Sequence, residues 1–180
     1  MQRFLLKIRK RYRYLFSGLA VCLLVSPICA FAQQLASPCT ADEAYTAFDF
    51  WIGEWIVETA DGNKAGENSI TREVSGCMLQ ERWTSARGSS GQSINYYDPS
   101  DGLWHQVWTD VAGNIGYFEG GLENGSMVLK GRWVNPDGSS YLLNGTWSQL
   151  EDGRVRQHFE QSTDDGKTWS TWFDGYYRKK

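Results

Sequence analysis

Two carboxylates, two imidazoles and a few amides are the groups in this sequence with chemistry to offer. Glu81 lies in the run Leu79-Gln80-Glu81-Arg82-Trp83, and Asp110 ends the run Trp104-His105-Gln106-Val107-Trp108-Thr109-Asp110. Period-two alternation places Glu81 on one face with Leu79 and Trp83. It places Gln106 and Asp110 on one face with Trp104 and Trp108. A carboxylate among apolar neighbours can serve as general acid or base when a donor stands close by. Glu81 is therefore the candidate catalytic residue, with Gln106 or Tyr96 as donor, for an isomerase, lyase or hydratase type of reaction. The structural alternative is that Glu81, Gln106 and Gln157 satisfy one another and ordered water inside a filled fold. His105 and His158 fall on the faces opposite the tryptophan rows, so both are expected to point outward. The chain has no Gly-x-Ser-x-Gly, phosphate loop, Cys-x-x-Cys or Cys/His spacing for zinc. No metal and no cofactor are expected.

The elements that must position these groups are strands. Ten runs of alternating character fall at about 55–59, 67–74, 78–86, 93–97, 103–110, 115–122, 127–134, 140–149, 154–161 and 168–177. The joints carry turn chemistry: Asp61-Gly62, Asp101-Gly102, Asn124-Gly125, Asp137-Gly138, Asp152-Gly153 and Asp165-Gly166. Short joints and no helical break predict an all-β fold. It is a single antiparallel up-and-down barrel of about ten strands, with closure removing the exposed edges. Thr40-Ala41-Asp42-Glu43 fits a capping box and predicts a short helix over 41–48 that closes one end. Ser162 to Trp169 has the Asp-box form Ser-x-Asp-x-Gly-x-Thr-Trp, expected here as a structural turn.

Residues 1–32 hold six basic residues and no acidic one, then an apolar run and Ala30-Phe31-Ala32. This is the pattern of a secretory signal peptide cleaved before Gln33. The expected organisation is a signal peptide at 1–32, an arm and short helix at 33–47, and a barrel domain at 48–180. The expected location is periplasmic or secreted, with no membrane span once the leader is gone. Removing six of the 18 basic residues and none of the 21 acidic ones leaves a net charge near −9, which disfavours nucleic acid as a partner. Nothing in the sequence sets an oligomeric state. Cys39 and Cys77 remain as an even pair, either joined or as two separate thiols.

The mature stretch holds nine tryptophans. Several inward rows mix large aromatics with an amide or carboxylate, which suits a cavity with aromatic walls and a few polar anchors. Trp83, Trp104, Trp108, Trp133 and Trp147 are the expected wall. Glu81, Gln106, Gln157 and Tyr96 are the expected polar contacts for a small, partly apolar ligand. A third reading is a sugar- or protein-interaction module using Trp169, Trp172, Tyr176 and Tyr177 of the last hairpin.

Gly53-Glu54-Trp55 resembles the Gly-x-Trp signature of lipocalins, in which the Trp packs across the closed end beneath an Arg from near the last strand. That resemblance gives the part to Arg178, with Lys179 and Lys180 as weaker candidates. The longer pattern includes Phe48-Asp49-Phe50-Trp51-Ile52-Gly53-Glu54-Trp55, the segments 76–83 and 93–98, and Trp104 to Asp110. It is similar to a bacterial calycin-like family of unknown function. The resemblance implies a lipocalin-like barrel and brings no catalytic residue. Nitrobindin-type haem barrels share the early Gly-x-Trp, but they need an inward His.

Overall fold

The computed structural model describes residues 37–180. The signal peptide expected over 1–32 and most of the arm lie outside the described residues. The period of two is realised as ten strands: β1 (Gly53–Thr59), β2 (Lys64–Glu73), β3 (Met78–Ser85), β4 (Ser90–Asp98) and β5 (Leu103–Asp110), then β6 (Ile115–Glu123), β7 (Ser126–Val134), β8 (Ser140–Gln149), β9 (Val155–Ser162) and β10 (Ser170–Lys179). Each pairs antiparallel with the next. β10 returns to β1 from Trp55↔Lys179 to Thr59↔Gly175, so the sheet closes with no free edge. This is the up-and-down barrel that the turn spacing predicts, and it is consistent with a calycin-like fold.

The N-terminal segment departs from the expected helix over 41–48. It forms two single turns, α1 (Pro38–Ala41) and α2 (Glu43–Thr46), followed by a 3₁₀ turn (Asp49–Trp51). Thr40 does not cap. Ser37 Oγ accepts from Cys39 N–H, and Asp42 Oδ1 accepts from Ala44 N–H at 2.9 Å. Asp42 adopts extended φ/ψ, which breaks the helix and caps its second half. Cys39 is joined to Cys77, just before β3, with Cα atoms 4.9 Å apart. Arg72 on β2 pairs with Asp49 and donates to the carbonyls of Cys39 and Gly76. One guanidinium thus ties the N-terminal segment to the barrel rim.

Phe48, Trp51 and Trp55 fill the closed end and are fully buried. Phe48 stacks on Trp51 at 4.9 Å and meets the edges of Trp104 and Trp147. Trp55 Nε1 donates to Trp51 O at 2.8 Å, and Trp104 Nε1 donates to Ala44 O. Those two bonds satisfy indole donors that would otherwise be stranded in the core. The cation over Trp55 is not Arg178. Lys179 Nζ lies 3.9 Å from the Trp55 ring centroid and donates to Ile52 O. Strand alternation is the reason. Arg178, one residue earlier, points away from Trp55 and reaches Glu58 instead.

Candidate functional site

Three strands repeat one vertical order, read from the closed end to the mouth. β3 offers Leu79, Glu81 and Trp83; β5 offers Trp104, Gln106 and Trp108; β9 offers Val155, Gln157 and Phe159. The first of each triplet is buried in the closed end and the last lines a cavity. The middle tier is polar. The barrel is therefore layered as an apolar plug, a polar belt and an aromatic wall.

The belt is one connected network. Glu81 Oε1 accepts from Asn68 Nδ2 at 2.7 Å, and Oε2 accepts from Ser93 Oγ at 2.6 Å. Asn95 Nδ2 donates to Ser93 Oγ and to the Leu79 carbonyl. Gln106 Nε2 donates to Asn95 Oδ1 at 2.8 Å and to Ser93 Oγ at 3.3 Å. On the other flank, Asn68 Nδ2 also donates to the Tyr177 hydroxyl, which donates to Gln157 Oε1. The belt spans β9, β10, β2, β3, β4 and β5. Burial pushes the Glu81 carboxyl up to about 6, against the hydrogen bonds from Ser93 and Asn68 that favour the anion. Burial, and then the nearby Glu81 charge, hold the Tyr177 hydroxyl well above the ordinary tyrosine range.

Above the belt is a cavity of about 760 Å³, within the span of known small-molecule sites. Its wall runs from Trp108 to Trp133, Trp172, Phe159 and Phe118 through ring contacts of 5.3–6.5 Å. Trp83 meets Phe173 edge-on to complete it. The rings lie flat because glycines on neighbouring strands leave room. A Cβ on Gly66 would stand 2.6 Å from the Trp83 ring, and one on Gly145 would stand 2.6 Å from the Phe159 ring. Rings laid along the sheet line the lumen without filling it. The mouth carries Asp61, Lys64, Arg87 and Asp174.

Of the nine expected ligand contacts, Glu81, Trp83, Gln106, Trp108, Trp133 and Gln157 are brought together around this cavity. Three are not. Tyr96 is on the outer face, because Gly91, Ser93 and Asn95 take the inward positions of β4; it stacks on His105 at 5.4 Å. Trp104 and Trp147 do point inward, but at the height of Phe48, beneath the belt. Alternation gives the face of a residue and not its depth. Asp110 is not an inward acid. Its carboxylate accepts from the backbone N–H groups of Ala112 and Asn114 and holds the β5–β6 turn.

The aromatic strip of the last hairpin divides. Tyr177 is buried in the belt, while Tyr176 lies outside under Arg154 and Arg156. Trp169 closes the Asp-box turn, where Asp164 accepts from the Thr168 N–H and hydroxyl. Trp172 sits at a register shift between Thr171 and Phe173 and stands at the cavity mouth. A bulge re-aims a side chain in this way. The bulge breaks the alternation, which by itself puts Trp172 on the outer face.

Asn68, Ser93, Asn95, Phe118, Phe159 and Phe173 were not expected in the site. Phe159 carries a signal, since it shares alternation with Gln157, whereas the expectation of an inward Tyr96 puts Asn95 on the outer face. His158 bonds Thr171 on the outer face, and His105 bonds Asp101 at 2.9 Å, so neither faces the cavity. Asp98, Asp101 and His105 bring three potential ligand atoms within 4.8 Å of one another. Asp98 and Asp101 are already acceptors for the β4–β5 turn amides of Ser100 and Leu103.

No protein-family model matches the chain, and a comparison with curated proteins finds no similar sequence. The functional reading therefore rests on the site.

Proposed function

We propose that this chain is an exported calycin-like binding protein that holds a small, partly apolar molecule in the barrel cavity. The observation that carries the reading is the 760 Å³ cavity, walled by aromatic rings over a buried polar belt. The rings supply apolar contact area, and the amides and carboxylate fix orientation. Export is supported by the basic, apolar and Ala-x-Ala order of residues 1–32, and by a cysteine pair of a kind that persists in oxidising compartments. An acid–base enzyme is less well supported, since no second carboxyl stands beside Glu81 in the belt among the described residues.

The test is fluorescence titration of the purified protein with N-phenyl-1-naphthylamine, a neutral apolar probe. Saturable uptake is expected, with Gln106→Leu weakening the uptake of polar competitors by more than it lowers stability, which should fall by about 1–3 kcal/mol because Asn95 Oδ1 loses its donor. No uptake of the probe, or equal affinities in the variant, would count against the reading. The intact mass of the exported protein is expected to begin at Gln33.

A further inference from the structure

Around the cavity floor Gln157 Nε2 and Trp108 Nε1 are donors without a partner among the described residues, but unpartnered acceptor sites outnumber them and lie around Glu81. Both Glu81 oxygens take one protein donor each, which leaves about half of a carboxylate's roughly four acceptor sites. The Gln106 amide is oriented by its neighbours. The Leu79 carbonyl can only accept, so Asn95 must present Nδ2 to it and Oδ1 to Gln106. Gln106 must then present Nε2 to Asn95, which leaves Gln106 Oε1 without a partner among the described residues. Asn68 Oδ1 also has no donor among the described residues. No Lys, Arg or His is within salt-bridge distance of Glu81 among the described residues, and Trp83 and Trp108 line the same cavity.

An anion held by two neutral donors beneath tryptophan rings lacks a cation. A protonated amine would supply the missing positive charge, offer up to three N–H donors and sit against indole faces that attract cations. The charged groups at the mouth do not select a sign. Lys64 is paired with Glu67, Asp174 with Arg156, and Asp61 is bonded to Thr59 and Asn63. Arg87 also lines the mouth.

We propose that the cavity selects an organic amine cation, with its ammonium on Glu81 and the Gln106 carbonyl and its apolar body between the aromatic rings. The proposal rests on the cavity-binding reading above and names its ligand class.

The experiment displaces N-phenyl-1-naphthylamine from the purified protein with three indoles of matched size: tryptamine, tryptophol and indole-3-acetate. At pH 8 tryptamine is expected to displace the probe at about a tenfold lower concentration than tryptophol, the scale of one charge-assisted hydrogen bond. Indole-3-acetate should be the weakest. In Glu81→Gln the ratio of tryptamine to tryptophol should fall to about one. The wild-type protein gives a second reading should that variant not fold. Glu81 is the one belt group that titrates between pH 8 and pH 4.5. Asn68, Ser93, Asn95, Gln106 and Gln157 do not titrate, and Tyr177 stays protonated. At pH 4.5 the preference for tryptamine should vanish while tryptophol displaces as before. Equal displacement by all three at pH 8, or a preference for indole-3-acetate, overturns the amine proposal while the cavity reading stands. Failure of the probe itself to bind overturns both.

Discussion

The Trp108 indole lies against Gly91 so closely that a Cβ on Gly91 would stand 2.2 Å from its Cζ2. The Thr109 carbonyl oxygen would be 2.9 Å from the same Cβ, so the backbone also crowds the added methyl. Gly91→Ala must therefore swing the indole into the lumen. The expected cost is about 1–3 kcal/mol, as for other overpacked sites. The folded fraction should also lose most of its uptake of N-phenyl-1-naphthylamine. Urea unfolding and probe titration of the same sample check both.

Glu81 binds its proton more tightly in the folded protein, at about 6, than its ordinary value of 4.5. Its contribution to stability is therefore full below about pH 4.5 and is lost as pH rises through about 6. The shift corresponds to roughly 2 kcal/mol. Glu67 and Asp164, held down to about 2 by their partners, act in the opposite sense at lower pH. The stability of wild type minus that of Glu81→Gln isolates the belt carboxyl. That difference should fall by roughly 2 kcal/mol between pH 4 and pH 7.5 in denaturant titrations. A flat difference would mean that the carboxyl is not desolvated.

Lys179 closes the plug over Trp55, and burial lowers its ammonium's pKa. Lys179→Met should cost about 0.5–2 kcal/mol through loss of the cation–π contact and of the bond to Ile52 O. Arg178→Met removes a surface pair with Glu58 and should cost less, about 0–1 kcal/mol. The ranking of the two unfolding midpoints is the check.

The Cys39–Cys77 bond spans 38 residues and holds α1 against the start of β3. A loop of that length is worth about 2–4 kcal/mol through restriction of the unfolded chain. Reduction, or the Cys39→Ala/Cys77→Ala variant, should lower stability by that amount. Unfolding with and without reductant measures it.

The sequence alone determined the all-β class, the ten strands and the inward face of most of them. Period two and Asp-Gly or Asn-Gly joints are local properties, set by sterics within a few residues. It also determined that Glu81, Gln106 and Gln157 face inward together with Trp83, Trp108 and Trp133. Tertiary structure decided the depth of each residue. Trp104 and Trp108 are indistinguishable by alternation, yet one packs on Phe48 and the other lines the cavity, because barrel closure and strand stagger fix height through pairing partners far away in the chain. The bulge at Trp172, the outward turn of Tyr96 and the choice of Lys179 over Arg178 depend on that same register. So does the belt itself, since Asn68 on β2 and Tyr177 on β10 are 109 residues apart and meet only when the sheet closes.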